Sequence, residues 1–469
     1  MINRISHVNL YTNKQLVSFH PAFKSQNAQN QESVAFTKVP TPTLIAYLSN
    51  INKSGNNDHI EIQYFNTLSL DKMQAKYANE ATKAVNDLSN RAGKVSEDLS
   101  WIKELSQEQI KRLDEIYALA DSLKQNGESK LGIIGIGGSK HTIENMLSLN
   151  GLSDKAVFLS SVTPEDIKSF IDKLGDKKTL AIMVASKSGT TLEPSVGFEQ
   201  VRKLLGDDFK NYACITDKDE SKSKLRKLAN ENSYKCGIIH DGCGGRFGAF
   251  DDHTLTALAY CGMPKEDMKK MLESALKAQT KFMNPDFKSN PALQRAAFNV
   301  ESIINGKSNQ HDYYFGDRFE GTALWNTQMK KESHKSLYKV SADLVGPAFL
   351  HNSTESDLDE GNNTSFYTFN AIKNNKSEDY KAYNALLNGS LKAYSERHPV
   401  SLIELKDLSP ESIGEFVELK HFETLYTGMM LRAIKNPQNE KAATKEKLPE
   451  VVQPHVNIYK KEVNKILAS

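Results

Sequence analysis

Cysteine is scarce in this chain of 469 residues: four occur, at Cys214, Cys236, Cys243 and Cys261, and no two have CxxC spacing. Four thiols spread over that length make no disulfide framework and fit a reducing compartment. Long apolar runs are missing as well. No stretch reaches the roughly 18 residues that read as a membrane-spanning helix. Residues 1–19 lack the apolar core and small-residue cleavage site of an export signal. The expected location is cytoplasmic, with no membrane partner. Charge of one sign is also absent. Lys and Arg number 60 against 58 Asp and Glu, a net charge of +2, so the usual basis for holding a polyanion is not there. No nucleic-acid partner is expected, and the first 130 residues give no sign of a helix-turn-helix with a basic face. No His, Asp and Glu cluster has the spacing of a metal site, and no cofactor fingerprint occurs: a Walker A loop and a GxGxxG turn are both lacking.

What is present is a long alternation of short apolar runs and amphipathic stretches. Residues 1–58 are rich in Asn, Gln, Ser, Thr and Lys without a sustained period, which predicts a disordered polar extension. Residues 59–128 read as a helical region, with apolar positions three and four apart from about residue 71 to 125. Residues 129–290 then alternate as βαβ units do, with strands in LGIIGIG, KAVFLSSV, TLAIMVAS, NYACITD and KCGIIHDG and helices between them. A helical region follows from about residue 252 to 306. A second α/β unit over residues 291–435 has strands in HDYYFGD, SFYTFNAI and PVSLIELKDL. Residues 436–469 read as a turn into a C-terminal helix. The expected fold is α/β: two doubly wound parallel sheets, each an αβα sandwich, with extra helices.

Two strand ends stand out. Residues 135–139, GIGGS, offer backbone N–H groups without side-chain walls, together with the Ser139 hydroxyl. Glycines there equally suit tight strand–helix packing. Residues 186–191, SKSGTT, place four hydroxyls and the Lys187 ammonium directly after one apolar strand and before a helix. A phosphate wants such donors at a helix N-terminus. Both loops would meet at the carboxyl edge of one sheet, where open α/β folds bind ligands. The lack of a nucleotide fingerprint favours a single phosphate. Residues 244–247, GGRF, add the Arg246 guanidinium, suited to an oxyanion that develops during reaction. Glu332, in QMKKES, is a candidate general base. Cys243, inside the glycine-rich turn, is either a packed small residue or a reactive thiol.

SKSGTT resembles the signature of sugar isomerase (SIS) domains. Together with GIGGS, GGRF, QxxxES and the late QPxVxxYK, in that order over residues 130–465, it resembles the phosphoglucose isomerase family. The resemblance implies a sugar-phosphate substrate, an aldose–ketose isomerisation without metal or other cofactor, and a homodimer with its site at the subunit interface. It implies that Gly138 and Ser139 lie against the reacting end of the substrate. Ser186, Lys187, Ser188 and Thr191 would hold its phosphate, and Gln328 and Gln453 would add contacts. Arg246 would stabilise a cis-enediolate, Glu332 would carry the proton between C1 and C2, and Lys460 would assist ring opening.

One part of the pattern is absent. The family's ring-opening histidine is expected where this chain has Val345, or on another alignment Thr364, and neither can transfer a proton. His334 and His351 are the nearby substitutes, and each also reads as an ordinary histidine. Two further readings stay open: an SIS isomerase for another phosphosugar, and a non-catalytic sugar-phosphate-binding protein.

Overall fold

Short apolar strands build two sheets that share a helical layer. The structure, a computed structural model, describes residues 52–53, 59–124, 129–373, 377–435 and 447–468. The expectation for residues 1–58 lies outside the described residues except for β1 (Asn52–Lys53).

After β1 come β2 (Ile60–Phe65) and the helices α1 (Leu70–Arg91), α2 (Ser106–Lys111) and α3 (Leu113–Leu123). The first sheet holds β3 (Leu131–Ile134), β4 (Ala156–Leu159), β5 (Ala181–Ala185), β6 (Tyr212–Thr216) and β7 (Lys235–Ile238), in the order β4-β3-β5-β6-β7. Every pairing in it is parallel. Four helices accompany it: α4 (Gly138–Leu149), α5 (Pro164–Leu174), α6 (Leu192–Leu205) and α7 (Lys224–Glu231). Thr163 caps α5 by accepting from the Asp166 N–H, with Pro164 in its first turn. β5 is buried throughout: Ala181 and Met183 enter one apolar core, Ile182 and Val184 the other. That is why its sequence is continuously apolar rather than alternating. The chain leaves β3 in one direction and returns to β5 on the other side, so a topological switch lies between them.

Next come α8 (Asp252–Tyr260), α9 (Lys265–Phe282) and α10 (Pro291–Ile304), then β8 (Asn309–Phe315), α11 (Glu320–His334), β9 (Lys339–Val340) and β10 (Leu344–Gly346). The chain continues through α12 (Phe349–Asn352), α13 (Thr354–Asp357), β11 (Ser365–Ile372), α14 (Lys381–Ser395), β12 (Val400–Leu405), α15 (Pro410–Lys435) and α16 (Val456–Ala468). The second sheet runs β1-β2-β12-β11-β8-β10, with β9 also on β8. Its centre is parallel, but β2 joins β12 antiparallel.

That edge corrects the sequence reading. Residues 60–65, expected within a helical region, form a strand because IEIQYF alternates buried and half-buried positions with period two. The sheet is accordingly mixed rather than wholly parallel. Elements of both sheets contribute to one main core, beside which lie two smaller apolar clusters, and α15 runs through the main core buried on nearly all sides. No helix among the described residues is long and apolar enough to cross a membrane.

Candidate active site

The two loops singled out in the sequence end β3 and β5, on either side of the topological switch. Ser139, Ser186, Lys187, Ser188 and Thr191 line one cavity of about 550 Å3, with Gln453 at its wall. Its geometry depends on close backbone approach. Gly189 has φ +62°, and a Cβ there would stand 2.4 Å from the Leu225 nitrogen. The Lys187 carbonyl accepts from the Thr216 hydroxyl at 2.8 Å and from the Asp217 N–H at 3.0 Å, fixing the loop to the end of β6. Thr191 is the N-cap residue of α6, so the cavity opens on the positive end of that helix.

Sequence reasoning missed three charged cavity residues: Asp217, Lys222 and Asp241. Asp241 lies 3.2 Å from the Lys187 ammonium and 3.6 Å from that of Lys222. Burial opposes its charge, but these two cations hold its carboxyl below the usual range. Lys222 sits in the polar turn before α7, where no local pattern separates it from a solvated lysine.

Beside this cavity lies a second cluster. Gly138 packs against residues 245–246 so tightly that a Cβ would come 2.4 Å from the Gly245 carbonyl carbon. On the other side, α11 lies directly on α4, because a Cβ at Gly321 would meet the Glu144 oxygen at 2.3 Å. Trp325 of α11 donates its indole N–H to the Arg246 carbonyl at 2.8 Å. These contacts set the register that carries Gln328 and Glu332 toward the glycine turn.

Three donors converge on the Glu332 carboxylate. Arg246 Nη1 donates at 3.0 Å, Gln328 Nε2 at 2.7 Å, and Gln453 Nε2 also donates. Arg246 is only 2% exposed. Its Nε donates to the Ser333 hydroxyl at 3.2 Å and its Nη2 to the Glu450 carbonyl at 2.6 Å. Burial lowers the guanidinium pKa, and Glu332 partly offsets that. Glu332 retains 23% of its side-chain exposure, so the carboxylate, unlike the guanidinium, meets solvent. A carboxylate held against a buried cation, next to an anion-sized cavity, suits proton transfer on a phosphorylated substrate.

No protein-family model matches the chain. It is 27% identical over 455 residues to a glucose-6-phosphate isomerase of Mycoplasmopsis pulmonis, covering 87% of this chain and 99% of that protein. It is 26% identical over 388 residues to a glucose-6-phosphate isomerase of Listeria monocytogenes, covering 78% and 81%. These relatives support a place in the phosphoglucose isomerase family. Among solved structures, a glucose-6-phosphate isomerase from Chlamydia trachomatis superposes with TM-score 0.71 at 16% identity, covering 89% of this chain and 90% of that one. A hypothetical protein from Thermus thermophilus has TM-score 0.71 at 20% identity, covering 85% and 97%. These two likenesses establish a shared fold.

Of the residues that the family resemblance marked, Lys460 alone stands apart. It is exposed on α16 and has no hydrogen bond or ion pair among the described residues. Val345 lies in β10 opposite Tyr314 and packs on the main core, while Thr364 is exposed just before β11. His334 is buried, with Nε2 at 2.9 Å from the Thr424 carbonyl and Nδ1 at 2.7 Å from the Tyr338 hydroxyl. Burial pushes its pKa down to about 3. Both ring nitrogens are engaged inside the protein. His351 is exposed on α12. Cys243 is buried, which raises its thiol pKa well above the usual value and leaves packing as its role.

Among the described residues, one His and Asp group lies close enough to surround an ion: His240, Asp251 and Asp252. The cation already there is Arg112, at 3.0 and 3.1 Å from the two Asp252 oxygens. His240 is held by Asp251 at 2.6 Å.

Proposed function

We propose that this chain is an aldose–ketose isomerase that interconverts glucose 6-phosphate and fructose 6-phosphate. The observation that carries this reading is the Glu332–Arg246 pair, set beside a hydroxyl-lined cavity at a helix N-terminus. The sugar phosphate binds with its phosphate on Ser186, Lys187, Ser188 and Thr191. Gly138 and Ser139 bound the space at its other end, and Gln328 and Gln453 contact its hydroxyls. Gln328 Oε1 is buried without a hydrogen-bond partner, which suits it to accept from a substrate hydroxyl.

In the open-chain aldose, the Glu332 carboxylate takes the C2 proton. The electron pair forms the C1–C2 double bond of a cis-enediolate, whose oxygen charge faces Arg246. Glu332 returns the proton to C1, and a proton moves between O1 and O2, giving the ketose. Charge develops only as the C–H bond breaks, so a preorganised guanidinium lowers that barrier more than it tightens ground-state binding. Phosphate held at the remote end fixes the carbon chain for attack.

Ring opening falls to groups outside the cluster. His334 has no free ring nitrogen, whereas the ring of the exposed His351 has no hydrogen bond among the described residues. On this reading His351 and Lys460, both exposed, serve the cluster of a second protomer. The α16 face formed by Tyr459, Val463 and Leu467 supports a homodimer, since Tyr459 and Leu467 are exposed apolar groups one helical stripe apart. The enzyme works in the cytoplasm.

The test is turnover of fructose 6-phosphate, read as glucose 6-phosphate through a coupled dehydrogenase, alongside other ketose 6-phosphates. Preferred turnover of fructose 6-phosphate supports the reading. Preference for another phosphosugar reassigns the substrate, and binding without turnover of any of them overturns the enzyme.

A further inference from the structure

The helix that carries Glu332 ends in an unusual way. Lys335, the residue that stops α11, has φ +55° and ψ −117°, a region that glycine occupies freely and a side chain does not. Its side chain is half-buried. The ammonium donates to the carbonyl of Pro449, and the neighbouring Glu450 carbonyl accepts from Arg246 Nη2 at 2.6 Å. Two cations from different elements therefore hold two successive carbonyls of one segment.

That segment has further anchors. Glu450 is fully buried, and its Oε1 accepts from Arg432 Nε at 2.6 Å. Gly428 makes room for it, because a Cβ there would stand 2.6 Å from Glu450 Oε1. Leu448 and Val451 enter the main core on either side. Three residues beyond Glu450, Gln453 donates to the Glu332 carboxylate and lines the cavity wall. The path from Lys335 to Gln453 thus starts three residues beyond Glu332, at the end of α11, and returns to the Glu332 carboxylate.

We propose that Lys335 is a positioning residue of the proton-transfer centre: its bond to the Pro449 carbonyl clamps the segment 449–453, so that Gln453 stays on Glu332. The inference rests on the isomerase reading above. A lysine in a glycine conformation offsets its backbone strain through this contact. Burial, with the Arg246 and Arg432 guanidinium groups, pushes the Lys335 pKa down to about 8. Glu450 and Glu332 are the opposing charges that face it. The positive charge on the clamp is accordingly lost as pH rises through about 8.

The test compares wild type with Lys335→Gly and Lys335→Arg. Glycine relieves the backbone and removes the clamp. The expected result for K335G is an unchanged or higher thermal midpoint, a kcat for fructose 6-phosphate lower by about tenfold or more, and a KM within about threefold. Amide exchange in the peptide 447–453 rises, and K335R restores most of kcat. Wild type is expected to lose kcat as pH rises through about 8, and K335G to lack that fall. Unchanged kcat and unchanged exchange in K335G overturn the proposal, and so does a kcat loss accompanied by a lowered thermal midpoint, which would mark a merely structural lysine. If wild type turns over no phosphosugar, the functional reading fails, while faster exchange in K335G still supports the clamp and unaltered exchange still refutes it.

Discussion

His334 and His351 are close in sequence and opposite in environment. His334 loses solvent entirely and gives both nitrogens to protein partners, so His334→Ala leaves the Thr424 carbonyl and Tyr338 hydroxyl without them. The expected cost is about 2–4 kcal/mol of stability, read as a lower denaturant midpoint. His334 also gives a direction in pH. Its folded pKa, about 3, lies below the free value of 6.5, so the folded state binds fewer protons than the unfolded chain. The stability it contributes is present above pH 6.5 and is lost as pH falls from 6.5 toward 3. His351→Ala, at an exposed site, is expected to change stability by less than about 0.5 kcal/mol. It is expected to slow turnover of the cyclic aldose at least tenfold, by order of magnitude, as loss of a proton-transfer group does. A destabilised H351A protein with normal turnover would reverse the assignment.

Among the elements, α4 and α11 decide the site, and two glycines let them do so. At Gly138 the opposing atoms are backbone and cannot rotate away, so Gly138→Ala forces the GGRF turn outward. The expected effect is about 1–3 kcal/mol of lost stability with a weakened grip on substrate, measured by denaturation and by KM. Full stability and a normal KM would show that the turn yields. These elements also mark where sequence reading succeeds. SKSGTT follows a strand buried on both faces, and the continuous apolar run with its small polar end announced both strand and loop. Arg246 and Glu332 were legible as types beside distinctive neighbours, but their 3.0 Å pairing was not, since 86 residues separate them. Lys222 and Asp241 were invisible because their meaning comes only from the cavity they share. β2 was missed because six residues of period two are easily absorbed into a neighbouring helical reading. The lysine at 335 was hidden for another reason: sequence gives no sign of a positive φ when the residue is not glycine.

At the scale of the molecule, charge is buried where the helical layer meets the second sheet. Arg295 donates to Glu423 at 3.1 Å, Lys330 to Asp312, and Lys420 to Asp312 at 3.4 Å, with all five side chains essentially without solvent exposure. Such a network specifies how α10, α11 and α15 dock, because removing one partner strands another charge. Asp343 lies at its margin, accepting from Asn326 of α11 at 2.7 Å. Burial, then the nearby Asp312 charge, raises its pKa to about 7. A raised folded pKa contributes stability that is present below about pH 4 and lost as pH climbs through about 7. Asp343→Asn keeps the acceptor for Asn326 and removes the titration. It is expected to raise the thermal midpoint relative to wild type by more at pH 8 than at pH 4. An equal shift at both pH values would exclude this origin.

The most direct measurement is the initial rate of glucose 6-phosphate formation from fructose 6-phosphate by wild type and by Glu332→Gln, with folding checked by circular dichroism. Glutamine keeps the shape that accepts from Arg246 and cannot take a proton from carbon. The account predicts ready turnover by wild type and a fall of at least about 100-fold in the variant, with its fold intact. A Glu332→Gln protein as fast as wild type would contradict it.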